Sequence, residues 1–284
     1  MMRIVALTAL TMVAFAANSV LNRWALVDGT TGPAAFQAVR VAAGALCLAV
    51  LLAVRGGLPP LMSPGRTIGT GSLLLYVVGF SFAYVALDSG VGALILFGGV
   101  QITMFAGAVL AGDRPPALRW VGSGVALAGL AWLLLPGGSA PPLGSAMLMA
   151  AAAFGWGVYS LHGRKASDPL AETGANFLCA APLALLVWVV LPDDMTVPGA
   201  VLAVVSGALT SGLGYALWYS VLPRLDAAVA ALAQLTVPVI ATAGGVALLG
   251  EVATPRLVMA SALVLGGVAL GVLAGQRRIG SSGS

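Results

Sequence analysis

Residues 84–135 read YVALDSGVGALILFGGVQITMFAGAVLAGDRPPALRWVGSGVALAGLAWLLL, and residues 219–273 read YSVLPRLDAAVAALAQLTVPVIATAGGVALLGEVATPRLVMASALVLGGVALGVL. Both open on a tyrosine, pass a short loop, cross an apolar run, reach a Gly-acid pair (Gly112-Asp113, Gly250-Glu251) and cross again. Such recurrence marks an internal duplication. Working outward, the chain divides into apolar spans at about 4–25, 33–54, 67–87, 90–112, 116–135, 142–162, 170–191, 198–222, 227–250 and 255–275. Each approaches the ~20 helical residues that cross a hydrocarbon core of about 30 Å. Gly and Pro clusters such as Gly56-Gly57-Leu58-Pro59-Pro60 and Pro136-Gly137-Gly138 separate them. The expected fold is an all-α integral membrane protein of ten transmembrane helices in two five-helix repeats, 1–136 and 141–278, with 279–284 an appended tail. An odd number of spans per repeat makes the second an inverted copy of the first, an arrangement suited to a carrier with its site between the halves.

Composition excludes other classes. Hydrophobic residues make up 60% of the chain and charged residues 8%, against about 25% charged in soluble domains. A β-barrel needs strands of about 10 residues that alternate apolar and polar, and no stretch alternates. The 38 glycines suit close helix approach in lipid. The net charge of +4 sits mainly in loops, so no nucleic-acid partner is expected. Cys47 and Cys179 fall inside spans and form no disulfide or metal framework. One histidine and no mid-span acid supply neither a nucleophile–base pair nor metal ligands, so an enzyme, a metal or another cofactor is not expected.

Charge sets the orientation. Arg3, Arg55, Arg66, Arg114, Arg119, Arg164, Lys165, Arg224, Arg277 and Arg278 fall on the side of the termini; only Arg23 and Arg256 fall on the other. The positive-inside rule then places both termini in the cytoplasm of a bacterial inner membrane. Met1-Met2-Arg3 followed by Ala14-Phe15-Ala16 also fits a cleaved secretory leader, which would leave nine helices. Trp24, Trp120, Trp132 and Trp188 lie near span ends and read as interfacial belt residues.

The five-plus-five repeat, Leu235-Thr236-Val237-Pro238-Val239 in span 9 and Leu248-Leu249-Gly250-Glu251 before span 10 resemble the drug/metabolite transporter superfamily, in particular its EamA-type ten-helix members. The first half departs from that pattern, with Gly112-Asp113 for Gly-Glu and Gly98-Gly99-Val100-Gln101 where the proline would be. Within the superfamily the chain is most similar to YddG-type aromatic amino acid exporters. The resemblance implies a central cavity lined by spans 1–4 and 6–9, with spans 5 and 10 peripheral.

Candidate substrate-binding residues are aromatic faces and buried amides. Tyr76, Phe80 and Tyr84 share one face of span 3; Phe97, Gln101 and Phe105 repeat that spacing on span 4. Trp156 and Tyr159 pair on span 6, and Tyr215, Trp218 and Tyr219 cluster on span 8. Asn18 and Asn22 lie one turn apart on span 1, and Gln234 lies in span 9. Such amides need partners in hydrocarbon and can meet both ends of an amino acid. Arg40, inside span 2, either snorkels, serves as a structural hub or pairs with a substrate carboxylate. Asp113 and Glu251 each precede a proline-containing helix start, where they favour the following helix; a gating pair with Arg119 or Arg256 is the other arrangement.

The expected function is export of small metabolites, amino acids with aromatic or bulky apolar side chains above all, by alternating access, facilitated rather than ion-coupled. A proton-coupled drug or metabolite efflux carrier and a passive channel are the alternatives. The expected partners are the lipid bilayer and a small-molecule substrate, and the expected state is a monomer or weak dimer.

Overall fold

A computed structural model describes the backbone of residues 2–58, 60–137, 140–164, 166–225 and 227–281, and their side chains except at 227, 228 and 274–281. Lys165 and residues 282–284 lie outside that set. Ten helices in the described residues are long and apolar enough to cross a membrane. They are α1 (Met2–Leu26), α2 (Pro33–Arg55), α3 (Arg66–Ala83), α4 (Ser89–Leu110), α5 (Ala117–Leu134), α6 (Leu143–Gly163) and α7 (Pro169–Val190), followed by three more. Helix α8 is built from Val197–Val205, Ser206–Leu213 and Gly214–Val221; α9 from Ala227–Gln234 and Thr236–Leu249; α10 is Pro255–Ser281. The helix therefore continues into the expected tail as far as Ser281.

Two helices depart from the expected uninterrupted spans. Helix α9 breaks at Leu235. Pro238 has no N–H, and its ring clashes with the carbonyl four residues earlier, at Gln234. In α8, Ser206–Leu213 winds as a π-helix. Such wide turns concentrate at functional sites. Here the wide turn carries Ser206, Thr210 and Ser211 into the interior, where all three are buried. A Cβ on Gly207 would overlap the Arg40 carbonyl, so glycine is what lets α8 touch the backbone of α2.

The main helix contacts follow one rule. Helix α3 packs on α6 and α8 on α1; α4 packs on α6 and α9 on α1; α2 pairs with α7, α4 with α9 and α5 with α10. Adding five to every number leaves this pattern unchanged, as a twofold relating two five-helix units requires. The ends of the helices alternate between two faces. On the face of the N-terminus, Arg55 Nη2 lies 3.1 Å from Asp168 Oδ2 and Arg66 Nη1 lies 2.8 Å from Glu172 Oε1. On the opposite face, Ala34 and Ala35 donate to the Asp193 carboxylate at 2.8 Å each. Helix α1 buries one face, with Met12, Phe15, Asn18 and Asn22, and exposes Leu10 and Val13 on the other. Trp24, Trp120 and Trp132 are exposed on the outside, whereas Trp188 Nε1 donates to the Asp193 carbonyl at 3.0 Å.

Candidate functional site: an aromatic cavity open on one face

A cavity of about 390 Å³ enters from the face of the N-terminus between α4, α6, α8 and α9. That volume falls in the roughly 300–1,000 Å³ range of small-molecule sites. Gly163, Arg164, Pro169, Leu222 and Leu225 form its mouth; Gln101, Trp156, Tyr215, Trp218 and Gln234 line its interior. Beyond it lies a chamber of about 20 Å³ lined by Phe15, Asn18, Tyr76, Phe80, Leu96, Phe97, Trp156 and Tyr215. Trp156 and Tyr215 line both spaces, so they form the partition between them. Their rings stack with centroids 5.2 Å apart and planes at 21°. Tyr159 stacks on the same indole at 5.3 Å, and Tyr76 meets it tilted at 4.9 Å. Each such ring pair contributes about 0.5–1.5 kcal/mol beyond area burial.

Polar groups behind the partition are linked across the repeats. The Asn18 carboxamide oxygen accepts from Ser206 Oγ at 2.8 Å and from Thr210 Oγ1. Asn22 Nδ2 donates to the Asn18 carbonyl at 2.9 Å, and Ser81 Oγ donates to Asn22 Oδ1 at 3.0 Å. Asn22 thus ties α1 to α3 and lines neither space. Tyr84 is fully buried, edge-on to Phe80, and its hydroxyl donates to the Ser89 carbonyl at 3.3 Å. It belongs to the closed face rather than to the cavity wall. Tyr159 gives its hydroxyl to Thr173 at 2.9 Å, which in turn donates to Tyr219 at 3.2 Å. Phe105 turns outward against Trp120, its ring 5.5 Å from the Arg119 guanidinium. Arg40 is buried, with Nη2 donating to Tyr76 Oη at 3.2 Å and to Ser211 Oγ at 3.4 Å.

The opposite face is shut by two carboxylates. Asp193, between α7 and α8, caps α2, and the Thr31 and Thr196 hydroxyls meet 2.6 Å apart beside it. Glu251 accepts from the Ser89 backbone N–H at 2.9 Å with both oxygens and from Ser89 Oγ at 3.1 Å. Arg23 Nε lies 3.7 Å from the same carboxylate, while its Nη1 donates to the Tyr84 and Val85 carbonyls at 3.1 and 2.8 Å. This corrects the sequence expectation. Glu251 neither serves the helix that follows it nor pairs with Arg256: Thr254 Oγ1 accepts from Leu257 N in that helix, and the glutamate reaches across to α4. Asp113 makes no ion pair among the described residues. Burial pushes the Glu251 carboxyl above the ordinary carboxylate value, against the pull of the Ser89 amide and Arg23.

The structure thus brings Asn18, Tyr76, Phe80, Phe97, Gln101, Trp156, Tyr215, Trp218 and Gln234 to the two spaces. Sequence reasoning did not single out Phe15, Met104, Ser160 or Arg164 for the site, nor the Ser206-Thr210-Ser211 hydroxyls. Phe15 carried a signal, one turn before Asn18 on the same face of α1. Ser206 and Thr210 share a face at a spacing of four, whereas Ser211 falls off that face in a regular helix and joins it through the wide turn.

Residues 143–273, most of the second repeat, match the model of the EamA-like transporter family. A 270-residue alignment with an uncharacterised protein of Pseudomonas aeruginosa is 48% identical and covers 94% of each chain. A second relative, from Streptantibioticus cattleyicolor and described as a "Probable terminal-alkyne amino-acid exporter", is 30% identical over 71% of this chain and 70% of its own. The chain belongs to the EamA-like transporter family. A solved crystal structure aligns over 96% of this EamA-family chain and 97% of its own with a TM-score of 0.67 at 23% identity, a likeness of fold. The EamA assignment makes the protein a multi-pass membrane transporter, and the cavity is its candidate substrate route.

Proposed function

We propose that this protein exports small metabolites, amino acids with aromatic or bulky apolar side chains above all, across the inner membrane of a bacterium by alternating access. The cavity carries this reading: aromatic faces from α6 and α8 and amides from α4 and α9 converge on a space that opens at the face of the N-terminus. Rings match an apolar side chain, and Gln101 and Gln234 offer both donors and acceptors to a zwitterion. The exporter described for the Streptantibioticus relative supports the substrate class. With both termini cytoplasmic, as the basic loops favour, the open face is the loading side of an exporter. We read transport as facilitated, since no acid among the described residues lies within the cavity lining.

Two measurements test this. In proteoliposomes, a radiolabelled panel should show saturable counterflow of aromatic and large aliphatic amino acids, unchanged by proton or sodium gradients. Accumulation driven by either gradient overturns the facilitated mode, and no counterflow of any amino acid overturns the substrate class. Trp156→Ala removes the indole on which Tyr159 and Tyr215 stack and should raise the KM for an aromatic amino acid roughly tenfold, corresponding to about 1–2 kcal/mol, while an aliphatic substrate is affected less.

A further inference from the structure

We infer that Arg40 is the anchor for an anionic group of the substrate, a carboxylate, at a subsite behind the Trp156–Tyr215 partition. The inference rests on the amino-acid reading above and adds which end of the molecule is recognised, and where. Arg40 is 1% exposed and lies on α2 deep in the bundle. Among the described residues no carboxylate lies within salt-bridge distance of it. Its Nη1 is buried without a hydrogen-bond partner. Its surroundings are the Phe80 ring, 4.9 Å from the guanidinium carbon, the Tyr76 ring at 5.7 Å, and the two long hydrogen bonds of Nη2.

An arginine keeps its charge when buried, and a buried charge is costly unless it is paired. Two ring faces and two hydroxyls leave the fork half used. A carboxylate is the complement of that fork, accepting two parallel N–H bonds. Neighbouring groups favour the same ligand. Tyr76 and Ser211 hydroxyls orient the guanidinium, and Asn18, whose oxygen is taken by Ser206 and Thr210, faces the chamber. These groups come from α1, α2, α3 and α8, so both repeats contribute. The chamber, at about 20 Å³, admits a water but not a carboxylate. Arg40 does not itself line the chamber; its guanidinium lies on the Tyr76 and Phe80 rings that do, so the anion reaches it only when Trp156 and Tyr215 part and those two rings give way, and its binding is tied to the step that carries substrate past the partition.

The test uses purified protein in proteoliposomes and three probes: phenylalanine, 3-phenylpropionate, which keeps the carboxylate, and phenethylamine, which lacks it. In the wild type, 3-phenylpropionate should compete with phenylalanine counterflow and phenethylamine should be weaker by roughly 100-fold, the scale for truncating one partner of a buried charge pair. Arg40→Met should remove most of that discrimination, and Arg40→Lys should restore part of it. Ser211→Ala, which only loosens the fork, should reduce it by a smaller factor. Phenethylamine competing as well as 3-phenylpropionate in the wild type overturns the inference without any variant, as does undiminished discrimination in a folded Arg40→Met protein. A wild type that handles no phenylalanine at all strikes instead at the amino-acid reading.

Discussion

Glu251→Ala is expected to unlock the face opposite the N-terminus. The side chain is 10% exposed, and its carboxylate takes the first amide of α4, the Ser89 hydroxyl and the flank of Arg23. A buried hydrogen bond contributes about 0.5–1.5 kcal/mol net, and a buried donor left without its acceptor costs about 1–3 kcal/mol more. Loss of about 3 kcal/mol shifts the ratio of closed to open by roughly 100-fold. The readout is the labelling rate of Leu96→Cys, in the chamber, by an impermeant thiol reagent applied to that face, with Cys47 and Cys179 replaced. Labelling should rise steeply in Glu251→Ala and stay slow in the parent. Gly245→Val should act alike while leaving the charge in place, since a Cβ there would overlap the Glu251 carboxylate and displace it. Slow labelling in both variants would remove the latch from the mechanism. The pH dependence follows from the raised carboxyl, which burial causes first and Asp88 second, with the Ser89 amide, the Ser89 hydroxyl and Arg23 opposing. A value higher in the closed state than in the open one means that protons favour closure. That contribution is complete below the ordinary glutamate value of 4.5 and is lost as pH rises through the elevated one.

Gly122→Val should be the most damaging change outside the site. Helices α5 and α10 meet backbone to backbone: a Cβ on Gly122 would overlap the Gly267 carbonyl and lie 2.8 Å from Gly271 N, while one on Gly267 would lie 2.5 Å from the Gly122 carbonyl. Small residues hold helices together in lipid through this close approach, because no hydrophobic force does so there. Overpacking costs about 1–3 kcal/mol where side chains can yield, and two backbones yield little. The detergent-solubilised variant should melt lower by roughly 10 °C, or fail to accumulate. Gly124→Val is the internal control, since a Cβ there meets nothing within 4 Å. Equal melting temperatures for the two variants would refute the packing account.

The sequence had already told much about the candidate site through depth and periodicity. Trp156, Tyr215 and Trp218 sit on the faces where their spacing placed them, and Gln101 and Gln234 reach the cavity from the two helices that the duplication makes equivalent. Other residues of the same types went elsewhere. Tyr84 continues the Tyr76–Phe80 face yet ends beyond the chamber, because one more turn carries it to the closed face. Asn22 repeats Asn18 one turn on, but its amide is used between α1 and α3.

What the amino-acid sequence determined alone was the ten spans, the duplication and the faces on which aromatic rings fall, because hydrophobic length and helical period are local properties. What only the tertiary structure decided was which face is shut. Glu251 caps a helix some 160 residues away in the chain, Arg40 on α2 lies among groups from three other helices, and Pro238 and the wide turn at Ser206–Leu213 interrupt two spans that composition reads as uniform. A buried charge or carboxylate takes whichever partner the packing brings within hydrogen-bond reach, and no sequence spacing records that distance.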